Sequence, residues 1–408
     1  MKLWIVNHYS SLQSKDGTDA RHAWLARSLV RVGWHSTLIA ASVSHPTGVQ
    51  RLTGWHLKHF DQSDDFDSLW VRVPTYRGNG IRRIIGMVSF GLLVVSPGFL
   101  KRVEKPDAVL GSTVHFFAAL SALVLARRFR VPFVFEVRDV WPDTLIDLGK
   151  LRPDGFIFRL MRRVSRLLAK EASLVISPLP GIGQYVSDLG VHNVPSLWIP
   201  NGAEPSLLPE IAAPPLKDPF VFMYLGSHGN TNEIDLLVDA FDLLVSEHPH
   251  VNTRLRIIGD GPQKEALGHR VKKLKSGFHI SLEPRVPRPQ ALELSQSAHC
   301  MVLTAKPLEV YRYGMSPNKL FDYFLSGRPV IMSAVDPFHP VTSINAGLEV
   351  QPNDSRALSE AMLSVTNMPE NEANVLGQNG RAAAEGQYSY PHLATKLAEA
   401  LNRIATTR

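Results

Sequence analysis

A single cysteine, Cys300, serves 408 residues. That scarcity excludes an internal disulfide framework and leaves nothing for a cysteine-rich metal centre. No complete Gly-x-Gly-x-x-Gly follows an early strand, which counts against a nicotinamide-dependent dehydrogenase. The stretch 84–100 is uncharged, but its 17 residues and its Pro97-Gly98 break fall short of the roughly 20 that span a bilayer. At the start, Leu3-Trp4-Ile5-Val6 gives way at once to Asn7-His8 without a signal-peptide pattern, so a cytoplasmic location is expected. Asp65-Phe66-Asp67 has the outline of a metal-binding Asp-x-Asp. It lies in an acidic run over 61–67 that reads as a solvated loop, and no metal is assigned to it.

What is present is ordinary globular composition, 44% hydrophobic and 20% charged residues, too apolar for disorder. At this length two domains are expected. Residues 1–200 hold 25 Lys and Arg against 15 Asp and Glu, whereas the remainder holds 19 against 22. The basic half points to an anionic surface. It has no Arg–aromatic repeat or recognition-helix pattern, so nucleic acid is not expected and an anionic membrane surface is preferred. Arg82-Arg83 and Lys101-Arg102 flank the 84–100 run, the composition of a segment lying at a lipid interface; a buried helix is the alternative.

Short apolar strands ending in polar loops recur along the chain. Residues 3–6 read as a strand of a buried parallel sheet. The loop after it carries Asp16-Gly17-Thr18, and a helix over 20–32 with a strand over 36–41 completes a βαβ unit. Such units bind ligands at the C-terminal ends of their strands, which makes Asp16, Gly17 and Thr18 candidates. Strands are expected over 108–111 and 133–136, with an Ala/Leu-rich helix over 116–128 between them. The second delivers Glu136, Arg138 and Asp139 to the sheet edge, where charge is costly unless paired or used. Substrate contact and a structural salt-bridge cluster both fit. A basic helix over 156–172 and strands over 174–177 and 194–199 follow, and a Pro/Ala-rich stretch over 200–219 marks the domain boundary.

A second series of strands ends in small-residue loops: Gly226-Ser227-His228-Gly229-Asn230 after 220–225, Gly259-Asp260-Gly261-Pro262 after 254–258, and 306–319 after 300–303. Such loops let backbone N–H groups approach phosphates. Ser316 reads as a helix N-cap with Pro317 at the first helical position. The helix would turn Leu320, Phe321, Phe324 and Leu325 inward and stop at Gly327, before a buried strand over 328–332. Its N-terminus suits a phosphate, and Asp322 suits a sugar hydroxyl. A capped structural helix is the alternative.

These motifs carry a family resemblance. Trp198-Ile199-Pro200-Asn201-Gly202, Gly259-Asp260-Gly261-Pro262, and the 316–322 helix start with Gly327-Arg328-Pro329-Val330-Ile331 resemble the two-domain, GT-B-type retaining glycosyltransferases of family 4. A fourth stretch, Phe135-Glu136-Val137-Arg138-Asp139-Val140-Trp141-Pro142, is similar to the bacterial surface-polysaccharide subgroup that includes N-acetylfucosamine-type amino-sugar transferases. The resemblance implies an α/β fold of two Rossmann-like doubly wound domains facing across a cleft. Residues 1–200, joined by a C-terminal helix at about 390–408, would bind the acceptor, and residues 201–389 the nucleotide sugar.

It also implies the chemistry: transfer from a UDP-sugar to a polyprenyl-diphosphate-linked acceptor at the inner membrane face, without metal or cofactor. Backbone amides near Tyr313 to Pro317 would hold the diphosphate and Asp322 would take the ribose hydroxyls, with Gly226, Gly314, Ser316, Asn318 and Lys319 also in the donor site. Gly259, Gly261 and Arg285 would meet the base, while Asp139, Glu136 and Arg138 orient the acceptor or reacting sugar. Two departures stand out. Asp322 replaces the second of the family's paired glutamates, and Glu309 is the nearest substitute for the first. Ser227-His228-Gly229-Asn230 lacks the usual Arg and Lys, whose charge Lys319, Arg285 or Lys306 would supply. The rival readings are a nucleotide-sugar epimerase of the same architecture and a non-catalytic sugar- or lipid-binding module.

Overall fold

The computed structural model describes residues 1–12, 16, 19–44, 47–76, 78, 80–101, 103–113, 115–208, 210–213, 215 and 218–406. Gly17, Thr18 and Arg102 lie outside the described residues. The chain divides into two units, Met1–Pro200 with Tyr390–Arg408, and Asn201–Ser389.

Unit 1 opens with β1 (Lys2–Val6), α1 (Arg21–Val30), β2 (His35–Ala41), β3 (Lys58–Asp61) and β4 (Asp67–Val71). It continues through α2 (Ile81–Val95), β5 (Ala108–Ser112), α3 (Phe116–Phe129) and β6 (Phe133–Glu136). Then come α4 (Asp143–Asp147), α5 (Phe156–Glu171), β7 (Leu174–Ser177), α6 (Ile182–Asp188) and β8 (Ser196–Trp198). The sheet runs β3-β4-β2-β1-β5-β6-β7-β8, parallel except where β3 pairs β4. Strand order reverses between β1 and β5, and the crevice at their C-terminal ends is where a doubly wound sheet binds its ligand.

The acidic run forms the connection of an antiparallel hairpin: residues 62–65 are exposed, as a solvated loop would be, while Phe66 is buried and Asp67 of β4 lies 3.3 Å from His35. The 84–100 segment enters a helix with one buried and one exposed side. Phe90 and Val94 of α2 are buried, while Ile81, Ile84, Ile85 and Leu92 are exposed. Its Gly91 allows close packing, since a Cβ there would lie 3.2 Å from the Phe117 carbonyl oxygen.

Unit 2 contains β9 (Phe220–Leu225), α7 (Ile234–Glu247), β10 (Thr253–Ile258), α8 (Lys264–Val271), β11 (Ile280–Glu283) and α9 (Arg288–Ser295). It continues with β12 (Cys300–Thr304), α10 (Asn318–Leu325), β13 (Val330–Ser333), β14 (Gly347–Val350), α11 (Ser355–Asn367) and α12 (Glu370–Glu385). The order β11-β10-β9-β12-β13-β14 is parallel throughout and reverses between β9 and β12. Apolar packing, not length, holds the eight-residue α10. Leu320, Phe321, Tyr323, Phe324 and Leu325 are all buried, each large apolar side chain contributing about 1.5–3 kcal/mol. The last helix, α13 (Tyr390–Thr406), belongs to unit 1, where Leu393, Leu397 and Leu401 join Leu25 and Leu29 of α1 in one core. Trp34 fixes it by donating from Nε1 to Asn402 Oδ1 at 2.9 Å.

Candidate active site

In unit 2 the loops after β9, β10 and β12 meet at the strand C-termini beside the reversal of strand order. Two glycines make this approach feasible. A Cβ on Gly259 would fall 1.8 Å from the Gly226 carbonyl oxygen, and one on Gly261 would fall 2.6 Å from that of His228. Neither contact leaves room for a side chain. The loops are then tied by backbone bonds, Gly226 N–H to Ile258 O at 3.0 Å and His228 N–H to Asp260 O at 2.8 Å. Lys264 Nζ closes the edge on the Gly259 and Glu283 carbonyls at 2.8 and 3.1 Å.

Lys319, in the first turn of α10, points at this cradle. Its Nζ donates to Tyr224 Oη at 2.7 Å and to Asn232 Oδ1 at 2.9 Å, and lies 4.4 Å from the Tyr224 ring centre. A Cβ on Gly226 would be 3.3 Å from Nζ. Tyr224 and Asn232 are aimed in turn, Tyr224 Oη and Asn232 Nδ2 both donating to the Ser227 carbonyl at 2.8 and 2.7 Å. Among the described residues no carboxylate pairs with Lys319. Burial without that partner pulls its ammonium down to about 7.

His228 adds a second unanswered group. It is 0% exposed, and neither ring nitrogen has a hydrogen-bond partner among the described residues. Burial, then Lys264 and Lys319, lower its pKa against the pull of Asp260, which leaves the ring neutral at pH 7. The sequence reading treated this position only as a missing Arg or Lys.

Ser316 does not cap α10. Its hydroxyl accepts from Asn201 N–H at 2.9 Å and its carbonyl from Asn201 Nδ2 at 2.5 Å, so it ties down the start of unit 2. Pro317 occupies the cap position instead, with extended backbone and no side-chain bond. The amides expected to hold a phosphate are partly engaged already. Gly314 N–H binds Tyr311 O at 2.8 Å, and Met315 N–H binds Asp336 Oδ2 at 2.9 Å. Asn318 and Lys319 supply the amides of the helix start, where intrahelical partners are lacking.

Asp322 does not stand alone. Arg288 of α9 grips it through Nη2 at 2.6 Å and Nε at 3.2 Å. Arg285 and Glu309 are exposed, whereas Tyr313 is buried; Arg312 donates to the Tyr313 hydroxyl at 2.9 Å.

In unit 1, Glu136 follows its salt-bridge reading. It is 0% exposed; Arg21 Nε donates to Oε1 at 3.1 Å and His22 Nε2 to Oε2 at 2.5 Å. Asn7 Nδ2 lies 2.8 Å from His22 Nδ1, so the neutral ring accepts there and keeps its proton on Nε2. Arg21 also donates to the carbonyls of Ile199 and Pro200. Burial drives the Glu136 carboxyl upward, but His22 and Arg21 outweigh it and hold the group below its ordinary range. A buried carboxylate with both oxygens engaged is a clamp, so its candidacy for touching substrate is withdrawn. Asp139 is exposed and Arg138 half-buried on the loop beyond. Asp16 is held by Arg51, Nη2 to Oδ1 at 2.8 Å.

Two histidines missed by the sequence reading stand at the β1–β5 crevice. His8 follows β1 and His115 caps α3, their ring centres 4.6 Å apart. His115 Nδ1 accepts from Ala118 N–H at 3.4 Å, which places the proton on Nε2, an atom without a partner among the described residues. Burial, then Arg83, push its pKa down to about 3. A polar residue just beyond an apolar strand was the available signal, the same one that exposed Glu136.

Comparisons with known proteins decide what kind of site this is. Residues 16–202 match the family described as Glycosyl transferase 4-like domain, and residues 219–367 match Glycosyl transferases group 1. The chain is a glycosyltransferase. It is 24% identical over 330 residues, 74% of this chain and 78% of the other, to "Probable glycosyltransferase WbjE" of Pseudomonas aeruginosa. Sucrose-phosphate synthase from Thermosynechococcus elongatus superposes with a TM-score of 0.73 at 15% identity over 100% of both chains. HepE of Anabaena, in complex with UDP and glucose, gives 0.67 at 13% identity, covering 99% of this glycosyltransferase and 100% of HepE. At such identities the two structures speak to the fold, which is GT-B.

Proposed function

We propose that this glycosyltransferase moves a sugar, an N-acetylated hexosamine or deoxyhexosamine, from UDP to a polyprenyl-diphosphate-linked acceptor in bacterial surface-polysaccharide synthesis. One observation carries the donor reading: Lys319, a half-buried lysine with no carboxylate partner among the described residues, directed at a glycine cradle beside a helix start. A partly desolvated cation is costly unless an anion completes it, and a diphosphate does so. The similarity in fold to HepE, solved in complex with UDP and glucose, supports the same choice.

Negative charge grows on the departing diphosphate in the transition state, so donors aimed there lower the barrier most. Lys319 and the first amides of α10 supply them without a metal. Asp322, held by Arg288, takes the ribose hydroxyls. Asp139 and Arg138 orient the acceptor, and the leaving phosphate accepts the acceptor's proton on the same sugar face, which retains configuration. The basic character of unit 1 holds the enzyme to an anionic inner membrane surface.

The test is thermal unfolding with UDP, GDP, ADP, NAD or no ligand. Selective stabilisation by UDP is expected. Equal shifts with every nucleotide, or none, overturn the UDP assignment. Transfer from UDP-sugars in membrane extract that survives chelation separates a metal-independent transferase from an epimerase, which converts the donor without extract, and from a non-catalytic module, which turns nothing over.

A further inference from the structure

The basic helix α5 has two unlike sides. On α5, Ser165, Leu168 and Ala169 are buried against unit 1. The opposite side carries Phe156, Leu160 and Leu167, which share one stripe at helical spacing and are 72%, 48% and 43% exposed. Along one flank of the stripe lie Arg159, Arg163, Arg166 and Lys170, all exposed. None of these four pairs with a carboxylate among the described residues. Exposed large apolar groups beside unpaired cations have no use in water, and they match an anionic lipid surface on both counts.

Neighbouring helices extend the face. α3 packs against both α2 and α5, so the three form one layer on the same side of the sheet. From α2 the layer adds Ile81, Ile84, Ile85 and Leu92, and from α3 Phe117 and Val124, all exposed. Each of these helices follows a parallel strand and runs back along it. Their N-termini, bearing Ile81, Phe117 and Phe156, therefore stand at the sheet edge that holds His115 and Asp139. Ile81 and Phe156, the most exposed apolar groups of the layer at 74% and 72%, thus lie toward the edge where a lipid-borne acceptor would arrive.

We infer that the α2–α3–α5 layer is the membrane-docking face, with the Phe156–Leu160–Leu167 stripe entering the headgroup region and Arg163, Arg166 and Lys170 on lipid phosphates. This inference rests on the membrane part of the proposed function and is independent of the donor. It fixes which side of unit 1 meets the bilayer and makes α5, not α2 alone, the principal contact.

The test is sedimentation of the full chain with vesicles of phosphatidylcholine alone and of phosphatidylcholine with phosphatidylglycerol, across a salt series. Preference for the anionic vesicles, weakening with salt, is expected. One variant joins Phe156→Ser, Leu160→Ser and Leu167→Ser; a second joins Arg163→Glu, Arg166→Glu and Lys170→Glu. All six positions are exposed, so both variants are expected to fold, and the thermal shift with UDP monitors this. Each should lose on the order of tenfold or more in anionic-vesicle affinity, while Leu92→Asp loses less. Unchanged binding by both α5 variants, no preference for anionic lipid, or absence of vesicle binding overturns the inference. So does conversion of an oligomer to a monomer by the serine variant, which would identify the face as a contact between copies. Failure of the donor reading shows separately, as loss of the UDP shift in the unaltered protein.

Discussion

Glu136 in unit 1 and Lys319 in unit 2 are two withdrawn charges treated in opposite ways. Glu136 meets a guanidinium and an imidazole N–H, with both oxygens engaged. Lys319 meets only a phenol and an amide oxygen. The first arrangement is electrostatically complete and holds β6, α1 and the end of unit 1 together. The second lacks one negative charge. Burial alone therefore does not mark a functional group; burial with the counter-charge missing does.

The largest effect should come from breaking the complete cluster. Glu136→Ala strands Arg21 and His22 in the core, and chemical denaturation should show a loss of about 3–5 kcal/mol. The remaining folded protein should keep its response to UDP. A loss of UDP response with stability intact would reverse the roles assigned to the two charges.

Lys319→Met should do the opposite. It removes a half-buried cation without a counter-charge, so thermal stability should hold or rise. UDP should bind about 10–100-fold more weakly by calorimetry, the loss of a charged hydrogen bond worth about 1.5–3 kcal/mol. pH sharpens the same point. With the ammonium lowered to about 7, the charged fraction in the free protein falls as pH rises above that value. UDP bears its full charge above a second phosphate pKa of about 6, so affinity should decline from about pH 7.5 to 9 with proton uptake on binding. Lys319→Met should flatten that decline.

Gly259→Ala drives a methyl into the Gly226 carbonyl and should cost about 1–3 kcal/mol, with UDP affinity lost because the cradle shifts. Comparable stability with normal UDP binding would show that the cradle tolerates opening. The smallest expected effect belongs to Asp322→Asn, at a partly exposed ion pair where the amide oxygen still accepts from Arg288, for a stability loss on the order of 1 kcal/mol. Competition binding should show weaker UDP and unchanged inorganic pyrophosphate, because the proposed partner of Asp322 is the ribose and not the phosphate. Equal weakening of both would move Asp322 to the diphosphate.

Much of the fold was legible because apolar strands of a parallel sheet read as short continuous runs ending at turn residues. Leu3–Val6, 220–225 and 300–303 all stood out in this way. The hairpin of β3 and β4 did not, because its strands are short and flank an acidic, exposed connection, and only Asp67 is drawn in, by His35 of β2. Ser316 had the right chemistry for a cap, but Asn201, 115 residues away, took its hydroxyl. Arg288 escaped notice because nothing local shows that α9 and α10 bring it to Asp322.

By itself, the sequence determined that the chain forms parallel α/β sheets, that glycine-rich loops end the strands of the second half, and that the first half is basic. These follow from periodicity and composition, which are local. Only tertiary structure decided which charges are answered. It placed Glu136 between Arg21 and His22, left Lys319 and His228 unanswered, and set the apolar stripe of α5 on the outside. Counter-charges and exposed faces depend on neighbours remote in sequence, and no local pattern encodes them.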